Sequence, residues 1–125
     1  MVKILIVEDE PIVAEAVSQL LDHAGHQVVG VAKDEASALE QAAAGCPDLV
    51  LMDVRLAGAS DGIETARKIQ AERPVNVVFV TAHHDSKTRA RAAAAAAVGF
   101  VPKPFSCEEL LSAVSAAALR PGKVY

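Results

Sequence analysis

Leu49-Val50-Leu51-Met52-Asp53 is the stretch whose reading decides the fold. Four successive apolar side chains suit a strand covered on both faces; a strand with one wet face would alternate apolar and polar residues. A carboxylate closing such a run sits where a buried strand meets the surface. Three other runs end in polar groups. Ile4-Leu5-Ile6-Val7 leads into Glu8-Asp9, Val77-Val78-Phe79-Val80 into Thr81, and Phe100-Val101 into Pro102-Lys103-Pro104. If these strands are parallel neighbours, three carboxylates, a hydroxyl and an ammonium converge on one edge of a sheet.

Outward from this stretch, short apolar runs alternate with helical patterns. Strands are expected at Lys3–Val7, Gln27–Ala32, Leu49–Met52, Asn76–Val80 and Gly99–Val101. Helical spacing joins Ile12, Val13, Ala16, Val17, Leu20 and Leu21 into one stripe, Ile63, Ala66 and Ile69 into another, and Leu110, Leu111, Val114 and Ala117 into a third. Pro11 suits a first helical turn, and Gly25 and Gly45 suit helix C-termini. Asp34, Asp61 and Asp85 or Ser86 are placed as N-caps, and Ser106-Cys107-Glu108-Glu109 reads as a capping box. The six alanines Ala92–Ala97 are assigned to the fourth helix, since alanine is the best helix former. A flat helical face for a partner is the functional alternative for that run.

This alternation predicts five βα units in a doubly wound α/β fold with a parallel sheet. Ligands in such sheets bind beyond the carboxyl ends of the strands. One domain is expected over residues 1–120. Pro121-Gly122 ends the last helix and 121–125 forms a short C-terminal tail.

The composition narrows the function classes. The chain is 52% apolar and 22% charged, which argues against disorder, and its 3% aromatic content demands an aliphatic, alanine-rich core. A net charge of -4 argues against direct nucleic-acid binding. No apolar stretch approaches the roughly 20 residues of a membrane span. No signal-peptide pattern is present, so a cytoplasmic protein is expected. Cys46 and Cys107 fall at opposite ends of the expected sheet, too far apart for a bridge that needs Cα atoms within about 7 Å. Two free thiols fit a reducing compartment.

The strand-end groups suggest chemistry. Clustered carboxylates repel one another, and a hard divalent cation removes that penalty. Mg²⁺ prefers oxygen ligands and pairs one or two carboxylates with a phosphate, which suits Glu8, Asp9 and Asp53 with a backbone carbonyl nearby. Transition metals fit less well, because neither cysteine nor histidine stands among these groups. A carboxylate is also a competent nucleophile for phosphoryl transfer, which needs positioning and charge neutralisation above all. Lys103 and Thr81 could then hold phosphoryl oxygens beside the metal.

Ile4-Leu5-Ile6-Val7-Glu8-Asp9-Glu10, Asp53, Asp61-Gly62, Thr81-Ala82 and Lys103-Pro104-Phe105, in this order and spacing, resemble the receiver domain of bacterial response regulators. The resemblance covers Val2 to about Leu119. It implies the flavodoxin-like strand order 2-1-3-4-5. It implies that Asp53 accepts phosphate from a sensor histidine kinase or a histidine phosphotransfer protein. It implies Mg²⁺ on Asp9, Asp53 and the carbonyl of Arg55, with Glu8 acting largely through water. Thr81 and Lys103 would capture the phosphoryl group, and the Lys103–Pro104 peptide would be cis. Phosphorylation would draw in Thr81 and then the aromatic Phe100, and so change the face formed by the fourth helix, fifth strand and fifth helix. The output partner is left unnamed, with a phosphorylation-dependent homodimer as one form of output. Catalysis would extend only to the protein's own phosphorylation and dephosphorylation.

Departures from that family pattern are local. Ala57 stands where many receivers have proline, and Asp61-Gly62 begins one residue late, so the loop after Asp53 is longer by one and contains Gly58 and Ser60. A surface insertion is the plainer reading of that loop. Arg55 and His83 occupy positions whose side chains would tune phosphate lifetime. His83-His84 reads as a pair of loop histidines, because adjacent side chains rarely point the same way. His23 and His26 flank Gly25 and read as solvated. A flavodoxin-like nucleotide or flavin binder is a competing reading, as is a degenerate receiver acting as a binding module. The first would need a phosphate-cradling loop where Glu8-Asp9-Glu10-Pro11 stands. An aspartate-nucleophile phosphohydrolase would want a second Asp where Arg55 stands.

Overall fold

Every strand of the sheet runs in the same direction, and its order is β2-β1-β3-β4-β5. A computed structural model describes residues 2–58, 60–83 and 85–118. Along the chain the elements are β1 (Lys3–Val7), α1 (Pro11–His23), β2 (Gln27–Ala32), α2 (Glu35–Gly45) and β3 (Leu49–Met52). They continue as α3 (Gly62–Glu72), β4 (Asn76–Thr81), α4 (Ser86–Ala94), β5 (Gly99–Pro102) and α5 (Cys107–Ala118). The expected fold class and strand order are both present. β4 and β5 each run one residue further than expected, to Thr81 and Pro102.

The continuous apolar runs are explained by burial on both faces. Successive side chains of a strand point to opposite sides. Leu5, Val7, Val50, Met52, Val77 and Phe79 therefore face α2 and α3, packing on Ala38, Ala42, Ile63, Ala66 and Ile69. Ile4, Ile6, Leu49, Leu51, Val78 and Val80 face α1 and α5, packing on Val17, Leu21, Leu110 and Val114.

Local signals set most helix ends. Pro11 opens α1, and Gly25 closes it with φ at 89°. Asp34, Asp61 and Asp85 cap α2, α3 and α4. Ser106 and Glu109 form the expected capping box, each accepting from the other's amide at 3.1 and 3.0 Å.

Two helix ends are set by contacts beyond the local sequence. Gly45 is the last residue of α2, as expected, and Cys46 takes the left-handed turn at φ 46°. A side chain at position 45 would lie 2.9 Å from Val29 Cγ2, so close approach is what requires glycine there. The alanine run does not stay helical. α4 ends at Ala94, and Ala96 turns left-handed at φ 58°. The amides of Ala97 and Ala96 bond back to the carbonyls of Ala92 and Ala93 in a Schellman turn. The chain must reverse to enter β5, and this tertiary demand overrides alanine's helix preference.

Both cysteines are free and exposed. Among the described residues no helix is long and apolar enough to cross a membrane. His84, Pro121-Gly122 and the tail 121–125 lie outside the described residues.

Candidate functional site

The ends of β1, β3, β4 and β5 line up because the parallel register pairs Val7 with Met52 and Thr81 with Pro102. The next residue on three of these strands carries chemistry. The Asp53 amide donates to the Val7 carbonyl at 3.0 Å, and the Lys103 amide donates to the Thr81 carbonyl at 2.9 Å. Backbone pairing thus continues just past the strands and fixes where each side chain begins.

Lys103 joins the two buried acids. Its Nζ donates to Glu8 Oε1 at 2.6 Å and to Asp53 Oδ2 at 3.0 Å. Glu8 and Asp53 are only 6% and 7% exposed, so each carboxylate lies largely out of water. The remaining oxygens find backbone donors: Glu8 Oε2 accepts from the Glu10 amide at 3.2 Å, and Asp53 Oδ1 from the Arg55 amide at 3.3 Å. Burial pushes the Glu8 carboxyl upward; Lys103 pulls it back in part, the Asp53 charge pushes the same way as burial, and the net shift is upward. Burial opposes the Lys103 charge, but the bonds to Glu8 and Asp53 outweigh it and hold that ammonium above its ordinary range. Two acids around one ammonium leave a net negative site, suited to a further cation.

Oxygen ligands for that cation are close by. Single oxygens of Glu8, Asp9 and Glu10 lie within 4.8 Å of one another, and Asp9 and Glu10 are exposed. Hard carboxylate donors at a solvent-facing edge fit Mg²⁺. Asp53 is not a member of this group, and its Oδ2 accepts from Lys103. Glu10 carries no sequence signal beyond membership of the acidic run. The same acidic loop, followed at once by α1, offers no glycine-rich cradle for a nucleotide or flavin phosphate.

Thr81 is fully buried at the end of β4, and its hydroxyl accepts from the His83 amide at 3.1 Å. His83 therefore meets Thr81 through its backbone. Its side chain lines a polar hollow of about 320 Å³ together with Arg55, Ser60, Asp61, Thr88 and Arg91. The Lys103–Pro104 peptide is cis, as expected. Phe100 is half-buried on β5, with the Arg89 guanidinium 4.7 Å from its ring centre.

The loop after Asp53 is tied down more firmly than a surface insertion. Val54 and Leu56 are buried. Ala57 donates its amide to the Lys33 carbonyl at 3.1 Å, and the Ser60 hydroxyl accepts from the Glu35 amide at 3.2 Å. At the loop's end, Gly62 donates to the Val54 carbonyl at 2.6 Å. A Cβ on Gly62 would clash with the Asp53 carbonyl oxygen, so glycine is required for this approach. Asp61 caps α3 and accepts from Arg91 Nη2 of α4 at 2.7 Å. Burial raises the Asp61 carboxyl, but Arg91 and the Ile63 amide overcome this and hold it below the usual carboxylate range. Arg91 carried no sequence signal, being separated from its partner by thirty positions.

Comparisons with known proteins agree with this fold. A family model described as the response regulator receiver domain matches residues 4–115. The chain is 36% identical over 118 residues to the transcriptional regulatory protein PdtaR of Mycobacterium tuberculosis, covering 94% of this chain and 57% of that protein. It is 36% identical over 121 residues to the phosphate regulon transcriptional regulatory protein PhoB of Escherichia coli, covering 94% and 52%. Among solved structures, the signal receiver domain of the response regulator NarL from Mycobacterium tuberculosis superposes with a TM-score of 0.86 at 34% identity, covering 95% of this chain and 98% of that one. The chain spans about half the length of the curated relatives it matches.

Proposed function

The chain belongs to the response regulator receiver domain family, and on that premise we propose that it is a phosphorylation-dependent switch with Asp53 as phosphoacceptor. One observation carries the reading: Lys103 bridges Glu8 and Asp53 at the carboxyl edge of the sheet, with Thr81 buried on the adjoining strand end. The donor is a phosphohistidine on a sensor histidine kinase or a histidine phosphotransfer protein. An Asp53 carboxylate oxygen attacks phosphorus, a P–O bond forms, and the P–N bond breaks. The departing imidazole nitrogen keeps the electron pair and takes up a proton.

Asp9, Asp53 and the Arg55 carbonyl would hold Mg²⁺, with Glu8 acting through water, and Glu10 stands close enough to add an oxygen. When bound, the ion neutralises charge on the transferring phosphoryl group. Lys103 exchanges its contact with Asp53 Oδ2 for a phosphoryl oxygen, and the Thr81 hydroxyl turns from accepting to donating. Charge-assisted bonds of this kind supply much of the roughly 5.5 kcal/mol needed to move a two-state equilibrium from about 1:99 to 99:1. Phe100 has no hydroxyl, so its inward state rests on apolar burial.

The face formed by α4, β5 and α5 is the proposed output surface, for a separate partner or a second phosphorylated copy. The setting is cytoplasmic, where phosphohistidine donors work. Arg55 and His83 border the polar hollow and are assigned the tuning of phosphate lifetime. Beryllium fluoride, a phosphoryl mimic, tests the reading by ¹⁹F NMR. Mg²⁺-dependent bound signals are expected, weakened about tenfold by Thr81→Ala through loss of one charge-assisted bond. Unchanged signals in Asp53→Asn would refute it. Alanine at both Arg55 and His83 should alter the dephosphorylation rate; an unaltered rate would remove their assigned role.

A further inference from the structure

α4 is held to the rest of the molecule unlike α1, α3 and α5. α1 buries Ala14, Val17 and Leu21, α3 buries Ile63, Ala66 and Ile69 among others, and α5 buries Leu110, Val114 and Ala117. Of α4, Ser86–Ala94, Ala92 is the one buried side chain. The helix contains no apolar residue larger than alanine. A segment with so little buried apolar surface opens at a lower free energy than the core around it.

Two arginines reach out from α4 to different neighbours. Arg91 Nη2 donates to Asp61 Oδ2 at 2.7 Å, at the start of α3. The Arg89 guanidinium stacks over the Phe100 ring of β5 at 4.7 Å. Each contact leads back to the phosphoacceptor site in a few steps. Asp61 pairs with Arg55 across the loop, and the Arg55 amide donates to Asp53 Oδ1 at 3.3 Å. Phe100 stands three residues before Lys103 on the strand whose end pairs with Thr81.

We propose that the Arg91–Asp61 and Arg89–Phe100 contacts are two pins that hold α4 in its resting position and so set how readily the switch is thrown. Arg91 and Arg89 are positioning residues, acting through Asp61 and Phe100 without touching the phosphoryl group. The argument for the pins stands on α4 itself; their role in switching rests on the phosphoacceptor reading above. Removing a pin releases α4 locally and leaves the sheet intact. If phosphorylation favours the released position, reciprocity requires the unpinned protein to bind a phosphoryl mimic more tightly.

Hydrogen exchange tests the pins. Arg91→Met and Arg89→Met each keep an apolar stem and delete the guanidinium. Each should speed exchange of the α4 amides about threefold, and the double variant about tenfold, as expected for one partly exposed ion pair and one cation–π contact. Amides of β1 and β3 should be unaffected, and Arg91→Lys should recover part of the protection. Exchange in α4 within twofold of the parent in the double variant, or acceleration spread equally over β1 and β3, would overturn the proposal. Beryllium fluoride titration with Mg²⁺ tests the coupling. The double variant should bind several-fold more tightly, and equal or weaker binding alongside faster α4 exchange would overturn the switching role. Failure of the parent protein to bind the mimic would count against the phosphoacceptor reading, and the exchange result would still decide the pins.

Discussion

Lys103 is the residue on which the site's electrostatics turn. Its ammonium compensates two buried carboxylates, Glu8 and Asp53. Because its folded pKa is raised, its contribution is complete below the unfolded lysine value and is lost as pH rises through the folded value. Glu8 runs the other way for a carboxylate. Its raised folded pKa means that burying it costs stability at neutral pH, and the cost is relieved as pH falls through that raised value. We predict that Lys103→Met costs about 3 kcal/mol at neutral pH, the scale of breaking a buried ion pair. The difference from the parent should shrink on acidification, as the stranded Glu8 carboxyl takes up a proton. Urea unfolding of both proteins at pH 4.5 and 7.5 checks this, and a pH-independent difference would contradict it. Glu8, Asp53, Thr81 and Lys103 were all legible as the polar ends of apolar runs. Their mutual contacts were not, because no local pattern states which side chains meet.

At the scale of elements, two backbone positions carry definite expectations. Ala96 pays for its left-handed φ with strain that glycine would not have. Ala96→Gly should therefore raise stability by about 1 kcal/mol with an unchanged denaturant slope. A loss of stability would show that the turn is not strained. Gly62→Ala should do the opposite, because its methyl group would run into the Asp53 carbonyl. A cost of at least about 2 kcal/mol is expected, together with impaired phosphorylation, since the clash displaces the backbone of Asp53, the proposed phosphoacceptor. Thermal or urea unfolding measures the first effect and intact mass after phosphodonor treatment the second. N-caps, the capping box and Pro11 were readable because their signals are local in sequence. The end of α4 was not, since a run of identical alanines contains no stop signal and the turn into β5 is imposed from outside. Gly45 was legible as a helix end, but the close approach of Val29 on another element, which requires glycine there, was not.

At the scale of the whole molecule, the parallel register makes one edge of the sheet a collecting point for charge. The fold class followed from apolar runs without alternation, and the strand order came through family resemblance. Cross-element pairs such as Arg91–Asp61 and the inclusion of Glu10 among the metal-spaced oxygens had no sequence signature. Binding of Mg²⁺ to the folded state alone should stabilise the whole domain, by about 1.4 kcal/mol at ten times its dissociation constant. Melting with and without Mg²⁺ measures this, and the gain should vanish in Asp9→Ala; a gain of equal size in that variant would place the ion elsewhere. The central claim, that Asp53 accepts a phosphoryl group, is tested most directly by intact mass spectrometry after incubation with acetyl phosphate. The account predicts a single Mg²⁺-dependent phosphoryl adduct on the parent protein and none on Asp53→Asn, whereas no adduct on the parent, or an equal adduct on Asp53→Asn, would contradict it.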